Sequence, residues 1–436
     1  MAFARLLESK AHLIPGKFAV NELFFEVPKD YGNPERGTIQ LFARSVSRYE
    51  KPTTVISEEE RRKKSMNSSI TNAVLDKGYQ MLYLDQRGTG LSTPISAATL
   101  ALQGDSNRQA DYLKLFRADS IVKDCEAIRR TLTDEYPTEL KKWSVFGQSF
   151  GGFCVLTYLS KYPHGLREAF TSGGLAPIGQ SPEAVYKATF KKVAERNKAY
   201  YKKYPEDVDA VHGLAFHIKS KGGLKLPSGG ILTVRGFLTL GRHFGAHGGL
   251  DSVHDLVLRM KRDLEQFQFV TRPTLSALES AVSFDDNVLY AILHEAVYCE
   301  NEASNWAADR VGKTLREFQW LSQSPQSPSS VREAPLFFSG EMIYPFLFDI
   351  FPELERMAPV ADIIASYAGW GELYDTWQAP TFIDDMYVDY GFAQETAKLV
   401  KNCKQYITNS MYHDAIRSKT EGVMKELFAL RDDSID

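Results

Sequence analysis

The amino-acid sequence predicts an α/β fold, in which a mostly parallel, doubly wound sheet carries an inserted helical domain. Short apolar runs alternate with amphipathic stretches from about Tyr79 to Gly174. From about Leu175 to Arg332, strands become hard to find, and Lys, Tyr, His and Phe are frequent. The 436 residues are enough for one large core with an insertion.

Composition narrows the class of protein. Hydrophobic residues make up 43% of the chain and charged residues 25%, as in ordinary globular proteins. The net charge of 52 − 55 = −3 gives no electrostatic reason to expect nucleic acid as a partner. We expect no secretion signal, no membrane span and a cytoplasmic location, since the N-terminal segment lacks an apolar signal region and no run of 18 apolar residues occurs. The four cysteines are widely scattered without a C-x-x-C pair, so we expect them to be reduced.

The first elements predicted along the chain are an antiparallel strand pair and a short helix. Residues 17–31 and 37–51 alternate apolar and polar side chains, and a segment with Pro and Gly separates them. Further on, Ile70, Val74 and Leu75 fit one face of a helix that Gly78 ends.

The alternating part of the chain follows. The run "YQMLYLD" is nearly continuously apolar, as a parallel strand covered on both faces requires. Residues 118–132 carry an apolar stripe at helical spacing, and "WSVFG" is a second buried strand. A helix over about 151–165 and a strand over 166–174 complete the pattern. Strand–helix–strand–helix–strand order indicates a parallel sheet with helices on both faces.

Three parts of the chain are predicted. Residues 1–175 form the first part of the α/β core, and residues 176–332 form a mainly helical lid that ends in a Ser/Pro-rich linker. Residues 333–436 form the second part of the core, where "PLFFSGEM", "APTFIDDMYVD" and "NCKQYITNSMYHDAI" indicate strands and turns again.

The motif Gly147-Gln148-Ser149-Phe150-Gly151 carries the predicted chemistry. It is a G-x-S-x-G sequence between a buried strand and a helix, which is the context of a nucleophile elbow. Small residues at Gly147 and Gly151 permit the tight turn, and Gly152 lets the helix approach the sheet. The alternative is a glycine turn whose serine only caps the helix.

A nucleophilic serine needs a histidine base and a carboxylate that orients it. In this fold the order along the chain is Ser, acid, His. Among the nine histidines, His413 is the one that follows the acidic pair Asp384-Asp385, at a distance of 413 − 385 = 28 residues from Asp385. Either member of the pair is a candidate acid, and Asp389 is a third option. The alternative for His413 is a surface histidine at a helix start.

The sequence predicts no metal site and no cofactor. His243 and His247 are four residues apart, but "GRHFGAHGG" is too rich in glycine for a rigid helix, and no H-E-x-x-H motif occurs.

The motifs "DQRGTGLS", "VFGQSFGGF" and "TSGGLAP", in that order, resemble the proline iminopeptidase family of α/β-hydrolases, and its larger fungal branch in particular. Later segments, including "SGEMIYP" and "MYHDAIRSK", also resemble that family. The resemblance implies an α/β-hydrolase fold with Ser149 as nucleophile, Asp385 as acid, His413 as base and the Phe150 N–H in the oxyanion hole. It further implies a lid that restricts the enzyme to short peptides with a free N-terminus.

Family members hold the free amine with carboxylates of the lid, and Glu295 and Glu341 are the candidates here. Each lies in an apolar, aromatic segment. A closed pocket that accepts an ammonium needs such a counter-charge, because uncompensated burial of a charge is costly. The alternative for each is a solvated glutamate or a structural ion pair.

Two family features are missing from this sequence. Family members carry a strand and a G-G-P-G loop before the "DQRG" strand, and the loop supplies a second oxyanion N–H; here Lys64 is followed directly by Ser65 and "MNSSITNAVL". The strand before Thr381 is also short. Because loss of one oxyanion donor costs about 10²–10³ in kcat, we expect impaired activity.

Three functions remain open at this level. The first is a serine aminopeptidase, the second a non-catalytic or truncated relative, and the third an esterase or amidase of the same fold. Carboxylates beside Ser149 would favour the first over the third, because an esterase does not need a counter-charge for an amine.

Overall fold

A computed structural model of the protein describes residues 3–14, 17–49, 69–322, 334–374, 385–399 and 403–432. Within these ranges, none of the helices is both long and apolar enough to cross a membrane.

The chain opens with a four-stranded antiparallel sheet. Its strands, in spatial order, are β1 (Arg5–Ile14), β2 (Phe18–Pro28), β3 (Thr38–Arg48) and β4 (Met81–Leu84). The predicted antiparallel pair is β2 and β3, and it is confirmed. The sequence analysis missed β1, because it is an edge strand whose side chains are nearly all exposed and therefore lack an apolar alternation.

The predicted alternation of strands and helices is confirmed. Helix α1 (Ser69–Asp76) leads into β4; the short helices α2 (Ala97–Ala101) and α3 (Ser106–Leu113) precede α4 (Ala118–Leu132). Strand β5 (Trp143–Gln148), helix α5 (Phe150–Lys161) and strand β6 (Leu166–Ser172) follow, and β5 pairs with β6 in parallel.

The sheet is less continuous than the sequence predicts. Strand β4 hydrogen-bonds to β3 in antiparallel fashion, and β5 hydrogen-bonds to β6, but no described strand joins β4 to β5. A cavity lies between these two strands instead.

Helices cover both faces of this region. Helices α4 and α5 pack against Trp143 and Val145 of β5. On the opposite face, α1 and the C-terminal helix pack against Phe146 and Phe170. The alternating strand residues therefore face two apolar layers, as in other doubly wound sheets.

The lid is mainly helical, with one two-stranded hairpin formed by β7 (Leu224–Lys225) and β8 (Ile231–Leu232). Its helices are α6 (Pro182–Lys203), α7 (Asp207–Ser220), α8 (Val234–Leu238), α9 (Gly249–Phe267), α10 (Arg272–Val282), α11 (Val288–Leu293) and α12 (Ala307–Lys313).

The segment after the Ser/Pro-rich linker differs from the prediction. No strand occurs in residues 334–374, 385–399 or 403–432, so the strands expected at "PLFFSGEM" and "NCKQYITN" are wrong for the described part of them. The side chains of Phe338, Tyr344 and Phe351 pack into the same core cluster as the lid helices. These aromatic residues therefore fill a helical core rather than a sheet.

The last helices return to the α/β layers. Before them, α13 (Pro352–Glu355) and α14 (Ala358–Ala365) still pack with the lid helices. The helices that return are α15 (Tyr390–Leu399), α16 (Ala415–Ser418) and α17 (Thr420–Asp432). Helix α17 is the C-terminal helix that covers β5 and β6.

Candidate active site

Ser149 sits in a sharp turn between β5 and α5. Its backbone has φ 54° and ψ −125°, a conformation that non-glycine residues rarely adopt. A Cβ on Gly147 would lie 2.1 Å from the Gly151 carbonyl oxygen, and one on Gly152 would lie 2.4 Å from the Gly174 carbonyl oxygen. Gly147 and Gly152 are therefore required by close backbone approach. The expectation that Gly151 must also be small is wrong, since a Cβ there would meet nothing within 4 Å.

The Ser149 hydroxyl does not cap the helix that follows it. It lines a cavity of about 340 Å³ at the C-terminal end of β5. The strained backbone of Ser149, and a hydroxyl that makes no capping hydrogen bond, favour the nucleophile elbow over the helix-capping alternative.

Asp385 and His413 form a buried pair. His413 Nδ1 lies 2.6 Å from Asp385 Oδ2, and the two residues are 8% and 2% exposed. The other carboxylate oxygen, Oδ1, accepts hydrogen bonds from the N–H groups of Tyr387 at 2.8 Å and Val388 at 3.0 Å. These contacts fix the carboxylate, which in turn orients the imidazole.

The environment of His413 changes its basicity. Burial lowers the pKa of His413, but the charge of Asp385 and its hydrogen bond raise it more, so the pKa lies above its usual value. A histidine with this partner holds its proton on Nδ1 and leaves Nε2 free to act as a base.

Asp389, another acid candidate, has a different hydrogen-bond partner. Asp389 Oδ1 accepts a hydrogen bond from the Phe392 N–H at 3.0 Å, at the start of α15. Asp384 lies outside the described residues. Among the described carboxylates, Asp385 is the one that hydrogen-bonds to the His413 ring.

His413 and the elbow lie against each other. Gln148 Nε2, on the residue before the serine, donates to the His413 carbonyl oxygen at 3.2 Å. The ring of Tyr387 lies 4.7 Å from the His413 ring, and Tyr387 also lines the cavity that contains Ser149. Within the described residues, no hydrogen bond joins the serine hydroxyl to His413. Such bonds are often long in the absence of substrate.

The backbone N–H of Phe150 lies where the sequence predicts an oxyanion donor. Phe150 is the first residue of α5, and the first N–H groups of a helix have no partner within the helix. Phe150 lines the cavity beside Ser149. The junction between Lys64 and Ser65, where the sequence predicts a missing loop, lies outside the described residues, as does the segment before Thr381.

The "DQRG" loop forms a second wall of the cavity. Arg87 is 1% exposed, and its guanidinium makes a two-pronged contact with Asp124, at 2.7 Å through Nε and 2.6 Å through Nη2. Gly90 has φ 53°, and a Cβ there would lie 2.1 Å from Asp85 Oδ2. The buried Arg87–Asp124 ion pair and the close approach of Gly90 to Asp85 fix the conformation of the "DQRG" loop at the cavity wall.

Apolar side chains from both the α/β core and the lid form much of the remaining cavity wall. Phe116, Ile121, Phe153, Leu289, Leu293 and Val297 are among its lining residues.

Glu341 lines this cavity together with Ser149. The carboxylate is half-buried, and its Oε1 accepts a hydrogen bond from Tyr290 Oη at 2.6 Å. Nε2 of His294 lies 3.2 Å from the Glu341 carbonyl oxygen. No Lys or Arg forms a salt bridge with Glu341 in the described chain, although Arg242 is near enough to interact with its carboxylate electrostatically and lines a neighbouring cavity together with it.

Glu295 has a different environment from the one predicted. It does not line the cavity of Ser149. Its Oε2 and Oε1 accept hydrogen bonds from the N–H groups of Ala307, at 3.0 Å, and Ala308, at 2.9 Å, at the start of α12. Burial raises the pKa of Glu295 above its usual value, although these N–H groups act in the opposite direction. The carboxylate therefore acts as a helix cap.

Sequence reasoning missed the tyrosines of the site. Tyr290 and Tyr387 lie in segments that read as ordinary aromatic core, and only the fold brings them to Glu341 and His413.

The two histidines that are four residues apart in the sequence have separate partners. His243 Nε2 lies 2.9 Å from the Ala281 carbonyl oxygen, and His247 contacts Asp414.

Comparison with known proteins identifies the family. Residues 64–237 match the family model described as alpha/beta hydrolase fold. Proline iminopeptidase aneH of Aspergillus aculeatus is 40% identical over 455 residues, covering 100% of this chain and 99% of that protein. The proline iminopeptidase of Aeromonas sobria is 35% identical over 446 residues, covering 98% of this chain and all of that protein.

The alignment with aneH is longer than this chain. The match to aneH spans 455 positions, and 455 − 436 = 19, so about 19 residues of aneH have no counterpart in this chain. The predicted fold class and the predicted family are confirmed. The chain belongs to the proline iminopeptidase family of α/β-hydrolases.

Proposed function

We propose that this chain is a serine aminopeptidase that releases N-terminal residues, preferentially proline, from short peptides. Its relatives are named proline iminopeptidases. The observation that carries the proposal is the Glu341 carboxylate, which shares one largely apolar cavity with Ser149.

The proposed chemistry follows from the Ser149, His413 and Asp385 geometry. Ser149 Oγ attacks the carbonyl carbon of the first peptide bond while His413 Nε2 accepts its proton. The imidazolium then donates that proton to the leaving amine, and water hydrolyses the acyl-enzyme by the same route in reverse. Asp385 stays ionised and stabilises the imidazolium through the 2.6 Å contact to Nδ1.

Substrate selection follows from the cavity. The apolar lining fits a pyrrolidine ring, and Glu341 supplies the negative charge that a buried substrate ammonium needs. We assign amine recognition to Glu341, supported by Tyr290. The described contacts of Glu295 favour a structural role for that residue.

We expect turnover to be impaired in this chain. The Phe150 N–H is one oxyanion donor, and the family's G-G-P-G loop, which provides the other, is not in the sequence. One lost donor corresponds to about 10²–10³ in kcat.

Two alternatives remain. An esterase of the same fold would use the same three catalytic residues but would leave the Glu341 charge without a purpose. A non-catalytic relative is favoured by the missing loop.

For the location of the protein we propose the cytoplasm, since all four cysteines are free thiols.

The test compares two substrates that differ only at the amine. Proline p-nitroanilide should be cleaved, and its N-acetyl derivative should not, because acetylation removes the positive charge. Equal cleavage of the two would contradict the aminopeptidase and favour the esterase. Absence of cleavage, with Ser149 also unreactive towards a fluorophosphonate, would favour the non-catalytic relative.

A further inference from the structure

A side cavity of about 320 Å³ adjoins the cavity that contains Ser149. Four residues line both cavities, namely Asn287, Tyr290, Glu341 and Tyr387. Arg242, in the segment between α8 and α9, lines the side cavity but not the cavity of Ser149. A ligand whose reacting bond lies at Ser149 therefore has room to extend past Glu341 towards Arg242.

The Arg242 guanidinium is a half-buried cation without a counter-ion among the described residues. It forms no hydrogen bond and no salt bridge with them, and its Cζ lies 4.4 Å from the centre of the Phe284 ring. Burial lowers the pKa of Arg242, because the charged form loses hydration. Buried charges in proteins are normally paired, so the side cavity offers a place for an anion.

Glu341 does not serve as the partner of Arg242. The two side chains are near enough for an electrostatic interaction, but no salt bridge joins them in the described chain. Glu341 Oε1 instead accepts the hydrogen bond from Tyr290 Oη. The ring of Tyr290 stacks on Phe284 with centres 5.5 Å apart, and Phe284 also contacts the guanidinium. These aromatic contacts hold the carboxylate and the guanidinium at separate places on the cavity wall.

Two opposite charges that do not neutralise each other fit a ligand that carries both signs. Glu341 is assigned to the substrate ammonium, which leaves Arg242 for a carboxylate. A guanidinium binds a carboxylate through two parallel hydrogen bonds from N–H groups in its own plane. Because Phe284 lies against the flat face of Arg242, these N–H groups stay available.

Ser283 supplies a neutral donor in the same cavity. Its Oγ accepts a hydrogen bond from the Asp285 N–H at 3.1 Å, and its own O–H donates to no group in the described chain. Among the described residues that line the side cavity, Glu341 is the acidic one. Its repulsion of a bound carboxylate is offset when the substrate ammonium is present.

The length of a dipeptide fits the two charges. Its amine and its C-terminal carboxylate are separated by at most about 7 Å, since each residue spans about 3.5 Å. The carbonyl carbon of its peptide bond is two bonds from the amine nitrogen. An amine at Glu341 therefore leaves that carbonyl in the cavity of Ser149, which Glu341 also lines, and the second residue extends towards the side cavity.

We propose that Arg242 binds a carboxylate on the leaving residue, and that the C-terminal carboxylate of a dipeptide is its source. Arg242 is then a specificity-determining residue, and the chain prefers dipeptides to amidated or longer peptides. The inference rests on the proposed function, because it takes the substrate ammonium to lie at Glu341. An acidic side chain on the leaving residue is the other source of the same chemistry.

The test compares ligands that differ only in the carboxylate. Isothermal titration calorimetry on Ser149→Ala measures binding without turnover. Prolyl-glycine should bind roughly 30-fold more tightly than prolyl-glycinamide, the effect of one charged hydrogen-bonded pair. Prolyl-glycyl-glycine should also bind more weakly than prolyl-glycine, because its carboxylate lies one residue further on. Equal affinities of prolyl-glycine and its amide would overturn the proposal.

A further ligand distinguishes the two sources of the carboxylate. Prolyl-aspartic acid α-amide carries its carboxylate on the side chain alone. It should bind as weakly as prolyl-glycinamide. Affinity equal to that of prolyl-glycine or greater would overturn the assignment to the C-terminal carboxylate.

Substitutions in the Ser149→Ala background locate the effect. Arg242→Gln should weaken binding of prolyl-glycine roughly 30-fold and should not weaken binding of prolyl-glycinamide. Arg235→Gln is the matched control, because Arg235 also lies over a lid aromatic ring, with Cζ 5.1 Å from the centre of Phe346, and lines neither cavity. Equal weakening of both ligands by Arg242→Gln would overturn the proposal, since Arg242 would then only support the shape of the site.

Arg242→Lys keeps the falsifying comparison if the glutamine variant does not fold. Lysine retains the charge but not the planar fork, so part of the preference for prolyl-glycine should remain. A preference as large as that of arginine, or a preference lost entirely, would contradict recognition by a charged, two-pronged contact.

The inference and the proposed function fail in different ways. If Glu341→Gln weakens both ligands but prolyl-glycine has no advantage over its amide, the carboxylate site falls and the aminopeptidase stands. If prolyl-glycine keeps its advantage and N-acetylation of the ligand changes nothing, the carboxylate site stands and the aminopeptidase falls.

Discussion

Replacement of Glu341 by Gln tests amine recognition, because it removes the charge and keeps the shape. Glu341 is half-buried at the wall of an apolar cavity. Exposed ion pairs contribute about 0–1 kcal/mol, and removing one partner of a buried pair costs about 3–5 kcal/mol. For a half-buried carboxylate facing a bound ammonium we expect about 2 kcal/mol, which corresponds to roughly 30-fold weaker binding.

The assay measures binding, so that it does not depend on turnover. Isothermal titration calorimetry of L-prolinamide and of its neutral analogue, tetrahydrofuran-2-carboxamide, isolates the charge. Glu341→Gln should weaken prolinamide binding roughly 30-fold and change binding of the neutral analogue little. Glu355→Gln, at an exposed position that does not line the cavity, is the matched control.

The reasoning would be refuted if Glu341→Gln weakened both ligands equally, because the residue would then contribute shape and not charge. Unchanged binding of prolinamide would also refute it and would require another carboxylate at the amine.

Three further predictions concern the acid, the second glutamate and the elbow. Because the pKa of His413 is raised, hydrolysis of an activated ester should fall as the pH decreases, with a midpoint above about 6.5. A pH–rate profile of Asp385→Asn should show a lower midpoint and a kcat reduced by about 10⁴. An unshifted midpoint in the variant would contradict this assignment. Glu295→Gln should leave prolinamide affinity unchanged but lower stability in urea unfolding by about 1–3 kcal/mol. The reason is that each carboxylate oxygen accepts one helix N–H, and the amide nitrogen of Gln cannot accept such a hydrogen bond. Weaker prolinamide binding would instead indicate that Glu295 belongs to the amine site. Gly152→Ala should destabilise the fold by about 1–3 kcal/mol through contact with the Gly174 carbonyl, and unchanged urea stability would show that the turn can relax.

Local patterns predicted the centre of the fold well. The stripe over residues 118–132 corresponds to α4, which is buried against a neighbouring layer. The apolar run before Asp85 contains β4, but its four residues are half-buried and it pairs antiparallel with β3, so the expectation of a parallel strand covered on both faces is wrong. Strand β1 escaped prediction because an exposed edge strand needs no apolar alternation. The segment around Phe338 was read as a strand, although its aromatic residues pack in the lid. Short apolar runs do not distinguish these two environments.

The sequence predicts the site residues that belong to a recognisable motif, but not those whose role depends on how the chain packs. The elbow follows from its motif, and chain order in the fold indicates His413 as the base. Chain order left three acids open, and the family resemblance singled out Asp385, which contacts His413 in the structure. The two glutamates looked equivalent in sequence, since each lies among apolar residues. Only the fold separates Glu341, which faces the cavity, from Glu295, which caps a helix. The cavity between β4 and β5 was not predictable from local patterns, because they do not show which strands pair.

The most direct measurement is the turnover of proline p-nitroanilide per reactive Ser149, in this chain and in a form with a strand and a G-G-P-G turn inserted between Lys64 and Ser65. Reactive serine is counted by stoichiometric fluorophosphonate labelling, which corrects for unfolded protein. We predict that the insertion raises kcat by about 10²–10³, because it supplies the second oxyanion donor. Equal kcat in the two forms would contradict the account, since this chain would then already hold a complete oxyanion hole.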